Sequence, residues 1–457
     1  MSNPALTSRL AARIKSGSCP IHGHGRYHPH PRRLASTVLS TPPILTPASV
    51  KALVPTMEDL VLWKWDKVTV AMSGGVDSAV VLRMLAEYPL DINVVFMRNW
   101  DSLLSENNDN DDLPSPASYH YSSDPSSSKS PNMSPCGWQK DWDMVQRVCD
   151  HVGVPRHRVR LVDLSKEYWA KVFEPALNVW EHGGTPNPDV ACNREIKFGA
   201  LFEHIPNKDR SFLATGHYAR VKRVPHATRL CRAVDETKDQ SYYLSSITDA
   251  QLRRAIMPLA QIRKEDVRKL AKYYGLPNAN KEESMGLCFV GERQKFSKFI
   301  SQYIPKPAVQ GYIVDAEGKK LGRHDGLWQF TVGQKARLPG MLQPMFVARK
   351  CVGESGQDIM VVPGSDHPAL MCTRIHTHDF HWIANKVPSG IVPGGSKRAL
   401  VQIRHRMEPI PAVINHDWNG MGLTIDFAQP VHGVAPGQVC AIYYMKWCLG
   451  SGVIKQT

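Results

Sequence analysis

Val68-Thr-Val-Ala-Met-Ser-Gly-Gly-Val-Asp-Ser78 is the stretch from which the fold of this chain can be read. Val68, Val70 and the apolar residues between them read as a buried strand. Ser73, Gly74, Gly75, Asp77 and Ser78 follow, and Ala79-Val-Val-Leu-Arg-Met-Leu85 opens a helix. A strand, a Gly-containing turn and a helix N-terminus together make an anion site. Backbone N–H groups point outward, the helix dipole adds positive charge, and glycine lets the backbone approach phosphate oxygens closely. No Lys follows the glycines, so this is not the GxxxxGK[ST] pattern. Two hydroxyls, two glycines and an Asp packed into six residues set it apart from an ordinary strand-to-helix turn.

Length and composition bound what surrounds this loop. A chain of 457 residues is expected to divide into two or three domains. Hydrophobic content of 42% and charged content of 21% are those of a globular protein. The net charge of +14 favours a polyanionic partner such as nucleic acid, with a basic targeting peptide contributing to the same number. No stretch approaches eighteen uninterrupted apolar residues, so no transmembrane helix is expected. The ten Cys form no CxxC pair, which argues against a structural zinc site, and a disulfide-stapled fold does not suit this size.

Residues 1–57 contain no Asp or Glu but carry Arg9, Arg13, Lys15, Arg26, Arg32, Arg33 and Lys51 among many Ser, Thr and Pro. This composition matches a mitochondrial transit peptide, with a basic RNA-binding tail as the second reading. The globular body is expected from Glu58. Asp91–Met97, Arg158–Val162 and Ser211–Thr215 read as further strands. Trp138–Val152 and Ser165–Trp180 read as helices, and the alternation predicts a parallel α/β sheet with ligand loops at the strand C-termini. The run from Asp101 to about Pro135 is acidic, then Ser/Pro-rich, and is expected to be a disordered insertion. After Pro305 short β-like runs punctuated by Gly and Pro predict a small β domain over 306–366 and a β-barrel over 367–457, leaving 58–305 as the catalytic domain.

Two further segments carry chemistry. In Thr185-Pro-Asn-Pro-Asp-Val-Ala-Cys-Asn-Arg-Glu-Ile-Lys-Phe198 the prolines hold Asn187 and Asp189 rigidly. A helix begun near Asp189 places Cys192 on the same face at i, i+3, where a helix N-terminus favours thiolate. Taken alone, Cys192 would read as a buried small hydrophobe. In Ser284-Met-Gly-Leu-Cys-Phe-Val-Gly291 two glycines bracket a turn presenting Cys288. Two Cys on two loops can act as a persulfide carrier and a second thiol that breaks the S–S bond. Lys238-Asp-Gln-Ser-Tyr-Tyr-Leu244 reads on its own as a surface turn running into core; contact with phosphates or an unstacked base is the alternative.

The loop Ser73–Ser78 resembles the pyrophosphate loop of ATP pyrophosphatases. Ala71–Ser78, Phe96–Trp100, Thr185–Phe198, Ala214–Tyr218, Lys238–Tyr242, Ser284–Gly291, Pro436–Gln438 and Cys448–Gly450, in this order, resemble the tRNA-specific 2-thiouridylase family in its mitochondrial form, from about residue 66 to the end. The resemblance implies an α/β fold: a parallel-sheet PP-loop (adenine nucleotide alpha hydrolase-like) ATP-pyrophosphatase domain, a small β domain and a C-terminal β-barrel. It implies adenylation by ATP of O2 of the wobble uridine in the tRNA anticodon stem-loop, then replacement of that oxygen by persulfide sulfur from a donor protein.

Carried over by motif, Cys288 holds the persulfide, Cys192 is the second thiol and reaches a Cys192–Cys288 disulfide, and Asp189 is the general acid/base. Asn187 and Pro188 line the base pocket. Ala71, Met72, Ser73, Gly74, Gly75, Val76, Asp77, Ser78, Met97 and Gly216 bind ATP, with Mg²⁺ beside its phosphates. Lys238, Asp239, Gln240, Arg404, His405, His217 and Gln438 lie at the tRNA. The pocket suits a base flipped from its stack. This chain has Ala71 for a usual Gly, Met285 for a usual Thr, and Arg404-His405 where Arg-Tyr is usual.

Two other readings compete. Glutamine-dependent ATP pyrophosphatases need a glutaminase and metal-dependent thiolases need clustered Cys, and neither is present. An RNA-binding module without catalysis does not need Asp77, Ser78, Cys192 and Cys288 together.

Overall fold

The structure is a computed structural model that describes residues 45–100, 137–205, 211–225, 227–283, 296–304, 310–388, 391, 394–416 and 422–456. The insertion expected over 101–135 and the segment carrying Cys288 lie outside the described residues, as do the first 44.

The first sheet contains β1 (Lys67–Met72), β2 (Asp91–Arg98), β3 (Val159–Asp163) and β4 (Ser211–Ala214). After an intervening hairpin, β5 (Ala219–Val224) and β6 (Ala227–Arg232), it gains the short β7 (Ala255–Ile256). Its order is β3-β2-β1-β4-β7 and every pairing is parallel. Val68, Val70, Val94 and Val95 are almost fully buried. Layers of chain cover both faces of such a sheet, which is why its strands are apolar runs without alternation. From β1 the chain builds β2 and β3 to one side, then returns to lay β4 on the other. The crevice at this reversal lies beyond the C-terminal ends of β1 and β4. Ser73–Ser78 and Thr215–Tyr218 follow those two strands into it.

The helix expected over Ser165–Trp180 is present but interrupted: a π turn at Trp169–Phe173 separates Ser165–Tyr168 from Glu174–Glu181. Pro175 in the following turn has no N–H to return to the carbonyl four residues back, and the widened turn accommodates its ring.

β8 (Gly311–Val314), β9 (Lys320–His324), β10 (Lys335–Ala336), β11 (Met345–Val352) and β12 (Asp358–Pro363) form a second sheet, ordered β10-β11-β12-β8-β9. β13 (Met371–Trp382), β14 (Ser396–Gln402), β15 (Ile410–His416), β16 (Gly422–His432), β17 (Val439–Tyr444) and β18 (Trp447–Gln456) make the barrel. Their order is β13-β16-β15-β14-β17-β18, and β18 returns to β13, closing it. Ile375, Val401, Ile414, Ile425 and Ile442 are fully buried in its apolar cluster.

The hairpin β5–β6 is a feature the sequence reading did not identify. β6 pairs with β18, setting Cys231 opposite Trp447 and Leu230 opposite Cys448, so the barrel sheet continues into the first domain. The start of the folded body is also corrected. A helix Pro47–Leu53 carries a reciprocal cap between Thr46 and Ser49, and it buries Val50 and Val54 in the same cluster as Val68 and Val70. Tyr88 donates its hydroxyl to the Pro55 carbonyl at 2.8 Å. The boundary expected at Glu58 therefore falls inside packed structure: with few acidic residues nearby, this short helix has the composition of a leader.

Candidate active site

The loop after β1 is cross-braced by its own hydroxyls. Ser78 Oγ accepts from Ser73 N at 3.3 Å and donates to Gly75 O at 3.2 Å. The helix Val76–Leu85 starts from Gly75, which supplies no side-chain cap, leaving its first N–H groups for another acceptor. Gly74 has φ +72, and a Cβ there would lie 2.9 Å from Asp141 O. A Cβ on Gly216 would lie 3.0 Å from Ser78 N and 3.1 Å from Asp77 Cβ. The loops after β1 and β4 thus touch only because residue 216 is glycine. Met97 lies near the end of the neighbouring β2.

Side chains from far along the chain close on this loop. Lys264 Nζ contacts both Asp77 carboxylate oxygens at 2.7 Å, and Tyr218 donates its hydroxyl to Asp77 Oδ1 at 2.9 Å. Lys281 Nζ at 3.2 Å and Asn278 Nδ2 at 3.1 Å donate to Gly74 O, and Lys281 also pairs with Asp141. Glu283 accepts from Lys238 at 2.8 Å and pairs with Lys264 at 3.1 Å. Its hydrogen bond with Lys238 leads the causes that hold the carboxyl down at about 2. Lys264, Lys281, Asn278 and Glu283 were absent from the sequence reading. Each sits in an unremarkable polar stretch, and only the tertiary fold brings it here.

These residues suit a nucleotide polyphosphate: an uncapped helix start, a glycine cradle too tight for a side chain, and ammonium groups beside it. Among the described residues, no three His, Cys, Asp or Glu side chains are grouped to hold a metal ion.

The second centre is built on Asn187–Lys197. Asn187 caps the turn Pro188–Ala191 by accepting from Val190 N at 3.4 Å, and Pro188 occupies the first helical position. Asn187 Nδ2 also donates to the Tyr242 hydroxyl at 3.5 Å, which itself donates to Val439 O in the barrel at 2.9 Å. From Cys192 to Lys197 the run widens into a π turn, with Phe198 N donating to Asn193 O at 2.9 Å. Cys192 is thus the fifth residue of the run. It lies past the first turn in which a helix end acts on a side chain, so that part of the sequence argument is corrected. The thiol is buried, 3 % exposed, and Asn99 Nδ2 approaches its Sγ at 4.0 Å. Asn99 directly follows β2, the strand beside β1, so Cys192 adjoins the same strand ends of the sheet as the loop Ser73–Ser78.

In front of this turn lies a cleft of about 280 Å³ lined by Asn187, Pro188, Asp189, Tyr243, Trp328 and Gln438, among others. All three domains contribute: Trp328 comes from the second, Gln438 from the barrel. Burial raises the Asp189 carboxyl above its usual range, with Lys197 opposing. Gln438 Nε2 donates to Thr185 O at 3.1 Å, and Thr185 N donates to Pro436 O at 2.8 Å, which seats the barrel on the cleft. Behind it, Lys350 Nζ meets the carbonyls of Phe330 (2.7 Å), Leu327 (3.2 Å) and Gly184 (3.4 Å), joining the first two domains. Burial draws that ammonium down to about 8.

The remaining sequence candidates fall in different settings. His405 stacks on Tyr243 at 4.3 Å, so an aromatic partner persists where Tyr is usual. Arg404 is exposed and donates to His432 O at 2.8 Å. His217 receives or gives a hydrogen bond with Thr215 at 2.8 Å, and burial holds its ring neutral. Asp239 is buried and accepts from Arg232, Ala233 N and Ser241 Oγ. Gln240 exchanges hydrogen bonds with the Tyr218 backbone in both directions. Asp239 and Gln240 brace the loop from inside, while Lys238 is drawn to Glu283.

Comparison with known proteins finds three family models along the chain. Residues 66–292 match the family model of a tRNA methyl transferase HUP domain, 297–360 that of a tRNA methyl transferase PRC-barrel domain, and 372–454 that of an aminomethyltransferase beta-barrel domain. The tRNA-specific 2-thiouridylase MnmA 2 of Geobacillus kaustophilus is 36% identical over 392 residues, covering 85% of this chain and 95% of that protein. The tRNA-specific 2-thiouridylase MnmA of Alkaliphilus oremlandii is 34% identical, over 85% and 97%. That of Ralstonia pickettii is 36% identical, over 85% and 96%.

Proposed function

Because this chain belongs to the tRNA-specific 2-thiouridylase family and is a sulfurtransferase acting on tRNA, we propose that it thiolates the wobble uridine of mitochondrial tRNAs through an adenylated uracil and a cysteine persulfide. One juxtaposition carries the reading. Asn187 and Asp189 line a cleft of about 280 Å³, and Cys192 on the same turn lies against Asn99 beside the nucleotide side of the sheet.

ATP supplies the activation that makes the uracil O2 a leaving group, with Mg²⁺ carried on its phosphates. The loop Ala71–Ser78 and Gly216 hold the polyphosphate. A flipped uracil enters the cleft between Pro188 and the aromatic walls. Asp189, whose carboxyl is raised by burial, exchanges a proton with the base as charge moves between O2 and N3. The terminal sulfur of a Cys288 persulfide attacks C2 and AMP departs. The Cys192 thiolate then attacks Cys288 Sγ, the S–S bond to the transferred sulfur breaks with its electron pair going to that sulfur, and a Cys192–Cys288 disulfide forms. A thiol reductant resets the pair, and a persulfide donor protein reloads Cys288.

Arg404, His405, Lys238 and the surface beside Gln438 meet the anticodon stem-loop. The net charge of +14 supports such a partner. The composition of residues 1–57 supports delivery to the mitochondrial matrix.

Nucleoside mass spectrometry of mitochondrial tRNA from cells lacking the protein tests the proposal. 2-Thiouridine is expected to disappear and to return with the wild-type chain but not with Cys192→Ser or Cys288→Ser. Both variants are expected to keep ATP–pyrophosphate exchange in vitro. Unchanged 2-thiouridine in the knockout would overturn substrate and compartment together.

A further inference from the structure

The loop Ser73–Ser78 has a physical difficulty. It is built to receive phosphate, yet its helix carries Asp77 in the first turn, where a carboxylate competes with an anionic ligand. It also lacks the in-sequence Lys with which GxxxxGK loops hold phosphates. Two lysines answer both points from 187 and 207 residues downstream.

Lys264 opens the helix Lys264–Tyr273, and its side chain is 11 % exposed. It is held by both oxygens of Asp77 and by Glu283, with the Tyr218 ring 5.6 Å away. The other charged groups around this cluster are Lys238 and Arg268, which face Glu283, Lys281, which faces Asp141, and Asp235, which accepts from Lys264 N at 2.9 Å. Asp77, Glu283 and Asp141 therefore each face a cation.

Lys281 acts differently. With Asn278 it draws the Gly74 carbonyl backward. A trans peptide is planar, so tying that C=O to one side also fixes the Gly75 N–H on the other, where it donates to Ser73 Oγ at 3.4 Å.

We infer that Lys264 and Lys281 are positioning residues of the nucleotide loop: Lys264 cancels the charge of Asp77 so that the loop accepts polyphosphate, and Lys281 fixes the Gly74–Gly75 peptide and with it the shape of the turn. The inference rests on the ATP reading above. It names the residues that make a loop without its own lysine an anion site.

The test is calorimetric titration of full-length protein with α,β-methylene ATP and Mg²⁺, alongside tRNA binding and near-ultraviolet circular dichroism. Lys264→Met is expected to weaken nucleotide binding at least about tenfold. Lys264→Arg keeps the charge and is expected to stay within about threefold of wild type. The double variant Lys264→Met/Asp77→Asn removes both charges and is expected to recover most of the loss. Lys281→Met is expected to lose about tenfold as well, and Asp77→Asn should not rescue it. All variants should bind tRNA as wild type does.

Wild-type affinity in Lys264→Met would overturn the role of that lysine. A double variant as weak as the single would overturn charge cancellation. Rescue of Lys281→Met by Asp77→Asn would overturn the separate role of Lys281. A wild-type chain that binds no nucleotide would instead remove the reading on which the inference rests.

Discussion

Gly216→Ala is the smallest change that should separate nucleotide binding from the rest of the enzyme. The added methyl would lie 3.0 Å from Ser78 N, 3.1 Å from Asp77 Cβ and 3.2 Å from Asp77 C, where ordinary contact begins at 3.4 Å. Something must move by a few tenths of an ångström, and neither side is free to yield. Residue 216 follows β4, which is pinned between β1 and β7. The helix opposite buries Ala79, Val80, Val81 and Leu82 completely. Overpacking of this kind costs about 1–3 kcal/mol of stability. The displaced atoms include an N–H of the helix start, so the loss should also reach the ligand, at about tenfold or more in affinity for α,β-methylene ATP. Gly153→Ala is the control: its φ is +88 with nothing within 4 Å of the new Cβ. It should lose about 1–2 kcal/mol through backbone strain alone and leave nucleotide affinity unchanged. Urea unfolding and calorimetry measure both quantities. If Gly216→Ala were destabilised like the control yet bound nucleotide as wild type does, the contact of the two loops would not shape the phosphate site.

Asp189→Asn should abolish thiolation while raising the urea midpoint: a carboxyl raised by burial contributes stability only at low pH and loses it as pH rises through the folded value, so at neutral pH the charge works against folding. Lys350 shows the converse. With its ammonium at about 8 in the fold against 10.5 unfolded, the unfolded chain holds the extra proton between those values, so stability should rise with pH there, and Lys350→Met should remove that slope in urea titrations across the window. Asp239→Ala should cost about 3–5 kcal/mol, because it leaves Arg232 half of a buried pair, and the loss should show in thermal unfolding before it shows in tRNA affinity. Deletion of residues 45–57 together with what precedes them should lower stability by about 3 kcal/mol or more through loss of the buried Val50 and Val54, read in urea unfolding.

What the sequence disclosed, and what it withheld, follow from where the information resides. β1, β2 and β4 were legible because strands buried on both faces are written as unbroken apolar runs, and the glycines of the nucleotide loop stand next to them in the chain. The Asn187–Cys192 turn was legible because proline and a capping Asn act locally. Its π turn was not, since widening depends on how the helix packs. The hairpin β5–β6 was missed because Ala219-Arg-Val-Lys-Arg-Val224 is rich in exposed charge, and its strand character is completed by pairing with residues more than two hundred positions away. Lys264, Lys281 and Lys350 escaped for a similar reason. A lysine is ordinary in sequence and becomes specific only when the fold desolvates it against carbonyls or carboxylates. Asp239 shows the opposite hazard: a charged residue in a polar motif suggests an exposed contact, yet the fold turns it inward.

The pairing of β6 with β18 has a mechanical meaning. Two domains that share a strand edge are joined by backbone hydrogen bonds, and Arg229, stacked over Trp447 at 4.3 Å, adds to the seam. The assembly then behaves as a caliper locked at one opening. For an RNA gripped by both halves, the nucleotide that reaches the cleft is chosen by its distance along the stem, so lengthening that stem by a base pair should shift the reacting position even where every letter near it is kept.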